Sequence, residues 1–249
     1  MMDNTDPAAL PSPEENESLQ LSGEETPGRV IINYCLVRVL HAAVKQPPIR
    51  VMIGNRMITN HLGYGKISQY ERVSCGNAMV TIYGGINPEE KLYQADISFK
   101  AGTSITLAVT STGWKVESGV IYDGDCRYQP QSGSCLRAVN LTGEQKPFDI
   151  LLSSGRIVFH NVKNREVTAW RQNYPGEYDF YLVPTPEGVY AQEETVSLEE
   201  MPYVETEFYR GQEAVLMFYQ RLLSDTRYTC FIIGGGQKKI PIQIVFAEN

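Results

Sequence analysis

The chain repeats itself. Cys35 to Ala42, CLVRVLHA, returns about a hundred residues later as Cys135 to Leu141, CLRAVNL. A Pro and an alternating run follow in both places, Pro48, Ile49, Arg50, Val51, Met52 and Ile53 against Pro147, Phe148, Asp149, Ile150, Leu151 and Leu152. Self-similarity at a fixed spacing marks each copy as one folding unit, which predicts two modules in place of one continuous body. On this phase Cys35 and Cys135 occupy equivalent strand starts. With 249 residues, 42% of them hydrophobic, two cores of roughly 100 residues each need no metal or disulfide staple.

From Val30 onward the apolar period is two, the mark of half-buried strands. Val37 and Val39 share a face, as do Ile49, Val51 and Ile53, Val80 and Ile82, and Ile105, Leu107 and Val109. Turn formers separate them at Gly54-Asn55, Gly63 to Gly65, Cys75-Gly76-Asn77, Gly84-Gly85, Ala101-Gly102 and Ser111 to Gly113. Val215, Phe218, Tyr219 and Leu222 fit a helical spacing as well as a strand. Setting LLSDTRYT of Leu222 to Thr229 over FKAGTSIT of Phe99 to Thr106 favours a strand there. Short strands without intervening amphipathic helices predict an all-β chain of two tandem antiparallel β-sandwich modules, Ig-like or transthyretin-like.

The expected division is an acidic tail over 1–29, a first module over 30–125 and a second over 126–249. The tail is Pro, Glu, Ser and Asn with few large apolar side chains, which is the composition of a disordered segment. The second copy carries an insertion of roughly 20 residues at about 184–210, longer than loops that merely join strands. Tyr190, Tyr203, Glu205, Phe208 and Tyr209 give it an aromatic and acidic character suited to a contact surface.

At this point the residues resemble a known family. VRVLHA followed by a Pro and an alternating strand, then QYERVSCG, then FKAGTSITLAV, is similar to the bacterial domain of unknown function 4397 family. The resemblance runs over about 35–246 as two copies. The first carries it at Arg38, His41, Tyr70, Gly76, Ala101, Gly102 and Thr106, with Ile105 where the family prefers Tyr. The second carries it at Arg137, Pro147, Pro175, Gly176, Tyr228, Thr229 and Phe231 to Gly235, with Asn140 or Leu141 in place of the His. The resemblance implies the fold and an exported or surface-associated setting, and it supplies no catalytic residue.

Composition narrows the function. A net charge of -7, with the 22 basic residues scattered, argues against a nucleic-acid partner, which needs clustered Lys and Arg. No run reaches the roughly 18 apolar residues of a membrane span, and the opening lacks a secretory pattern. The default expectation is therefore cytoplasmic, with a spore or cell-surface destination left open.

His41, His61 and His160 stand without the spaced partners of a zinc site or triad. Asp123-Gly124-Asp125 reads as a turn, and Gly234 to Lys239 as a hairpin loop. No catalytic residue, metal or cofactor is expected. Cys126 and Cys135 bracket the link between modules and form either a disulfide clasp or two of five free thiols. Trp114 and Trp170 offer flat faces for stacking a sugar. The expected function is non-enzymatic, a structural protein or one that binds a protein partner or itself, with carbohydrate or small-ligand binding as the alternative.

Overall fold

The computed structural model describes residues 33–84, 90–124, 126, 133–186, 213–235 and 240–249. These form strands and no helix. The first eight are β1 (Tyr34–His41), β2 (Ile49–Ile53), β3 (Arg56–Leu62), β4 (Glu71–Ser74), β5 (Gly76–Gly84), β6 (Lys91–Phe99), β7 (Ser104–Thr112) and β8 (Lys115–Tyr122). The second eight are β9 (Ser134–Asn140), β10 (Phe148–Leu152), β11 (Ile157–Val162), β12 (Arg171–Asn173), β13 (Gly176–Pro184), β14 (Leu216–Leu222), β15 (Arg227–Ile233) and β16 (Gln243–Glu248). The segment around Phe218 that also suits a helix is strand β14.

Each set of eight builds two four-stranded sheets. In the first set the orders are β4, β1, β7, β8 and β3, β2, β5, β6. In the second they are β12, β9, β15, β16 and β11, β10, β13, β14, the same order with every index raised by eight. Even the irregularities recur. The β2–β3 register shifts between Ile49 and Val51 and again at Met52, and the β10–β11 register shifts between Phe148 and Ile150 and again at Leu151.

Antiparallel pairing, expected throughout, holds for every pair of strands but one in each sandwich. β1 runs parallel to β7, and β9 parallel to β15. The chain leaves the first sheet for the second and returns beside the start of β1, where Gly102 N donates to Tyr34 O at 2.9 Å. Strand alternation encodes which face is buried and carries no sense of direction, so this pairing is invisible in the sequence.

Two of the apolar clusters are sandwich interiors. Val37, Val39, Ile49, Val51, Val80, Ile82, Ile105 and Leu107 fill the first, and Leu136, Ile150, Phe159, Phe180, Leu182 and Tyr228 fill the second. A third cluster joins Leu40, Ala42, Ala108 and Ile121 to Val139, Phe231, Ile233 and Ala247. These are the outward positions of the β1 and β9 sheets, so the two sandwiches meet through those faces. That is why β1 and β9 are buried on both sides, β9 along its whole length, where half-buried strands were expected.

The tail and the insertion residues Tyr190, Tyr203, Glu205, Phe208 and Tyr209 lie outside the described residues. Among the described residues no helix is long and apolar enough to cross a membrane.

Candidate functional site

A charged residue in mid-strand, inside an otherwise apolar run, is expensive unless it is paired and hydrogen-bonded. Arg38 in β1 and Arg137 in β9 are two such residues, 4% and 3% exposed, and both point into the junction between the sandwiches. Arg38 donates from Nε to Thr106 Oγ1 of its own sheet at 2.9 Å. It then crosses the junction, donating from Nη1 to Glu248 O at 2.6 Å and from Nη2 to Asn249 Oδ1. Arg137 repeats the pattern in the other direction. Its Nε donates to Thr229 Oγ1 at 2.9 Å, Nη1 to Tyr122 O at 2.7 Å and Nη2 to Asp123 Oδ1 at 2.8 Å.

The two halves are therefore related by exchange: the Arg of each sandwich is held by the residues at the end of the other's last strand. Asp123 and Asn249 are counterparts, each hydrogen-bonding through its backbone N to the start of the neighbouring strand, at Ser104 O and Arg227 O. Asp123 also accepts from Tyr70 Oη and Thr106 Oγ1, both at 2.8 Å, and lies 3.8 Å from Arg38 Nη2. An aromatic face covers each guanidinium, Tyr70 at 4.5 Å over Arg38 and Trp170 at 4.4 Å over Arg137.

Two guanidiniums share one carboxylate, and the carbonyl oxygens and ring faces take up the remaining positive charge. Burial pulls both guanidinium pKa values down, and Asp123 pulls them back up. The Tyr70 phenol is pushed well up, first by burial and then by the Asp123 charge. Every group here is engaged in holding the others, an arrangement that fixes geometry and offers no free acid, base or nucleophile.

The register corrects the phase of the repeat. Leu36 lies opposite Ser104 and Cys135 opposite Arg227, while Arg38 and Arg137 lie opposite Thr106 and Thr229. Cys135 is thus the counterpart of Leu36, and Cys35 that of Ser134. A shift of one residue changes the face, so Cys35 enters its own core while Cys135 faces the junction side. Cys126 and Cys135 are joined in a disulfide, with Cα atoms 6.4 Å apart, and Cys35, Cys75 and Cys230 are free.

His41 and Asn140 are counterparts on this phase, and both are fully buried. His41 Nδ1 accepts from Ala43 N at 3.3 Å, so Nε2 carries the proton and donates to Pro47 O at 3.0 Å. Asn140 Oδ1 accepts from Thr142 N at 3.1 Å while Nδ2 donates to Val162 O at 2.9 Å. Burial lowers the His41 pKa, so it stays neutral.

The two tryptophans are not brought together. Trp114 stands 82% exposed at the β7–β8 hairpin, whereas one face of Trp170 is occupied by Arg137. His160 Nδ1 lies 3.2 Å from the buried Asp149, which also accepts from Thr185 Oγ1 at 2.6 Å. Among the described residues no three His, Cys, Asp or Glu side chains gather as a metal site. Asp123, read from the sequence as part of a turn, is the residue that sequence reasoning missed. The signal for it was the pair of isolated mid-strand arginines.

Residues 35–151 match the family described as domain of unknown function (DUF4397), a span that runs from the second residue of β1 through β9 and into β10. No curated protein matches the chain. Among solved structures it is similar to the Bacillus anthracis TIE protein, with 13% identity and a TM-score of 0.23 over 81% of this chain. The chain spans 34% of that protein's length.

Proposed function

We propose that the chain is a non-enzymatic interaction or structural protein, built from two copies of the DUF4397 module and serving as a rigid two-sandwich bracket. The observation that carries this reading is the exchanged Arg38 and Arg137 junction. Its groups are committed to holding two similar bodies at one spacing, which is the requirement for presenting two related surfaces to a partner. The identical strand order in β9–β16, together with its recurring register shifts, supports a second copy beyond the matched span. A cell-envelope or spore setting is supported by the Cys126–Cys135 disulfide, since such bonds persist in oxidising surroundings.

The test is capture of partners from the native cells with the full chain, followed by cross-linking to map contacts. The reading expects a defined partner cross-linked to the outward sheets or exposed hairpins. Deleting 186–208 is expected to remove capture while the circular-dichroism spectrum of a β protein persists. Multiple turnover of any substrate by the purified chain would contradict the reading.

Carbohydrate binding is the second reading, and the exposure of Trp114 is what favours it. A saturable fluorescence change with a glycan, abolished in Trp114→Ala, would establish it.

A further inference from the structure

Five cysteines leave at least one thiol unpaired, and the strand register singles out which two of the remaining three are neighbours. Cys35 lies opposite Val73 in the antiparallel β1–β4 ladder, and Tyr34 lies opposite Ser74. Cys75 N donates to Asn33 O at 3.0 Å, which carries the ladder one residue further. Carried one residue past the end of β4, strand alternation puts half-buried Cys75 on the side of Val73, the one turned toward the first core, where Cys35 and Val73 are 1% and 5% exposed. The two thiols are diagonal neighbours on one side of a two-strand pairing.

We propose that Cys35 and Cys75 are the site of a second disulfide, formed by oxidation of the folded chain and stitching the start of β1 to the bend where β4 passes into β5. Diagonal neighbours sit at roughly 7–8 Å, beyond the roughly 4.4–6.8 Å Cα separation of a disulfide, so the backbone must close in for the bond to form. The bend supplies the movement. Cys75 lies between strands, and the following Gly76, at φ 104°, has no atom within 4 Å of where a Cβ would project. Burial pushes the Cys35 thiol up, and a neighbouring Cys75 thiolate adds to that push. Cys230 is the odd thiol. In the second core it lies opposite Ala138 and Phe246, with no cysteine at either position across its ladders.

Exposure sets the order of events. Half-buried Cys75, as thiolate, attacks one sulfur of a small disulfide such as oxidised glutathione. The glutathione S–S bond breaks, one glutathione thiolate leaves, and a mixed disulfide remains on Cys75. The Cys35 thiol then attacks Cys75 Sγ and passes its proton to the departing second glutathione, which leaves as the thiol. Two protein thiols are oxidised and one glutathione disulfide is reduced, which balances the two electrons.

The test uses the folded full chain, incubated with oxidised glutathione, quenched in acid, alkylated after denaturation and mapped by mass spectrometry without reduction. The expected result is a peptide joining Cys35 to Cys75, with Cys230 alone alkylated. The same treatment of Cys75→Ser leaves Cys35 alkylated, and of Cys230→Ser leaves the Cys35–Cys75 peptide in place. Alkylation of Cys35, Cys75 and Cys230 in the oxidised wild-type chain would overturn the proposal, and so would glutathione retained on Cys75 with Cys35 free. Either failure leaves the reading of the chain as an interaction protein untouched.

Discussion

His41 and Asn140 do one job with two chemistries. Each accepts the N–H two residues ahead and donates across to a carbonyl, and only the histidine titrates. Burial holds the folded His41 pKa below the ordinary value of about 6.5, so the unfolded chain takes up the proton first as pH falls. The stability His41 contributes is complete above about pH 6.5 and is lost below it, toward the folded pKa. Measured as urea midpoints, stability is expected to fall on going from pH 7 to pH 5, and His41→Asn is expected to flatten that slope. An equal slope in the variant would contradict this assignment. Asp123→Ala strips a fully buried carboxylate from two guanidiniums and two hydroxyls. Removing one partner of a buried ion pair costs about 3–5 kcal/mol, to be read as a shift in denaturation midpoint.

Most strands were legible because their period of two survives wherever one face is wet. The repeat showed its phase less clearly, because Cys-Leu occurs in both copies and pulls the alignment one residue away from the position the arginines require. In the structure Arg38 and Arg137 fix that phase through Thr106 and Thr229. The parallel β1–β7 and β9–β15 pairs were not legible, since an alternating strand reads alike in either direction. Nor was the role of Asp123, which gathers Arg38 and Tyr70 from distant segments of its own sandwich and Arg137 from across the junction. At the turn after β15, Gly234 has φ 93°, and a Cβ there would come within 2.4 Å of Pro241 O. The obstacle is backbone and cannot swing aside. Gly234→Ala is expected to cost on the order of 1–3 kcal/mol by combining a left-handed backbone with a clash, visible as a lowered melting temperature. A melting temperature equal to wild type would show that the β15–β16 connection yields freely.

For the whole molecule, the consequence of the exchanged arginines is that neither sandwich is self-sufficient at the junction. Leu40, Val139, Phe231 and Ile233 are fully buried there, and burying a large apolar side chain is worth about 1.5–3 kcal/mol. The polar network lies at one end of this apolar patch and fixes its orientation, since a guanidinium fork accepts few geometries. A bracket of this kind transmits a perturbation on one side to the other. The most direct test is amide hydrogen exchange across the full chain in Asp123→Ala. Asp123 follows β8, in the first sandwich, and holds Arg137 of the second. The account predicts faster exchange in β9 and β15 as well as in β1 and β7. Loss of protection confined to β1–β8, with β9 and β15 unchanged, would contradict the claim that the two sandwiches form one mechanical unit.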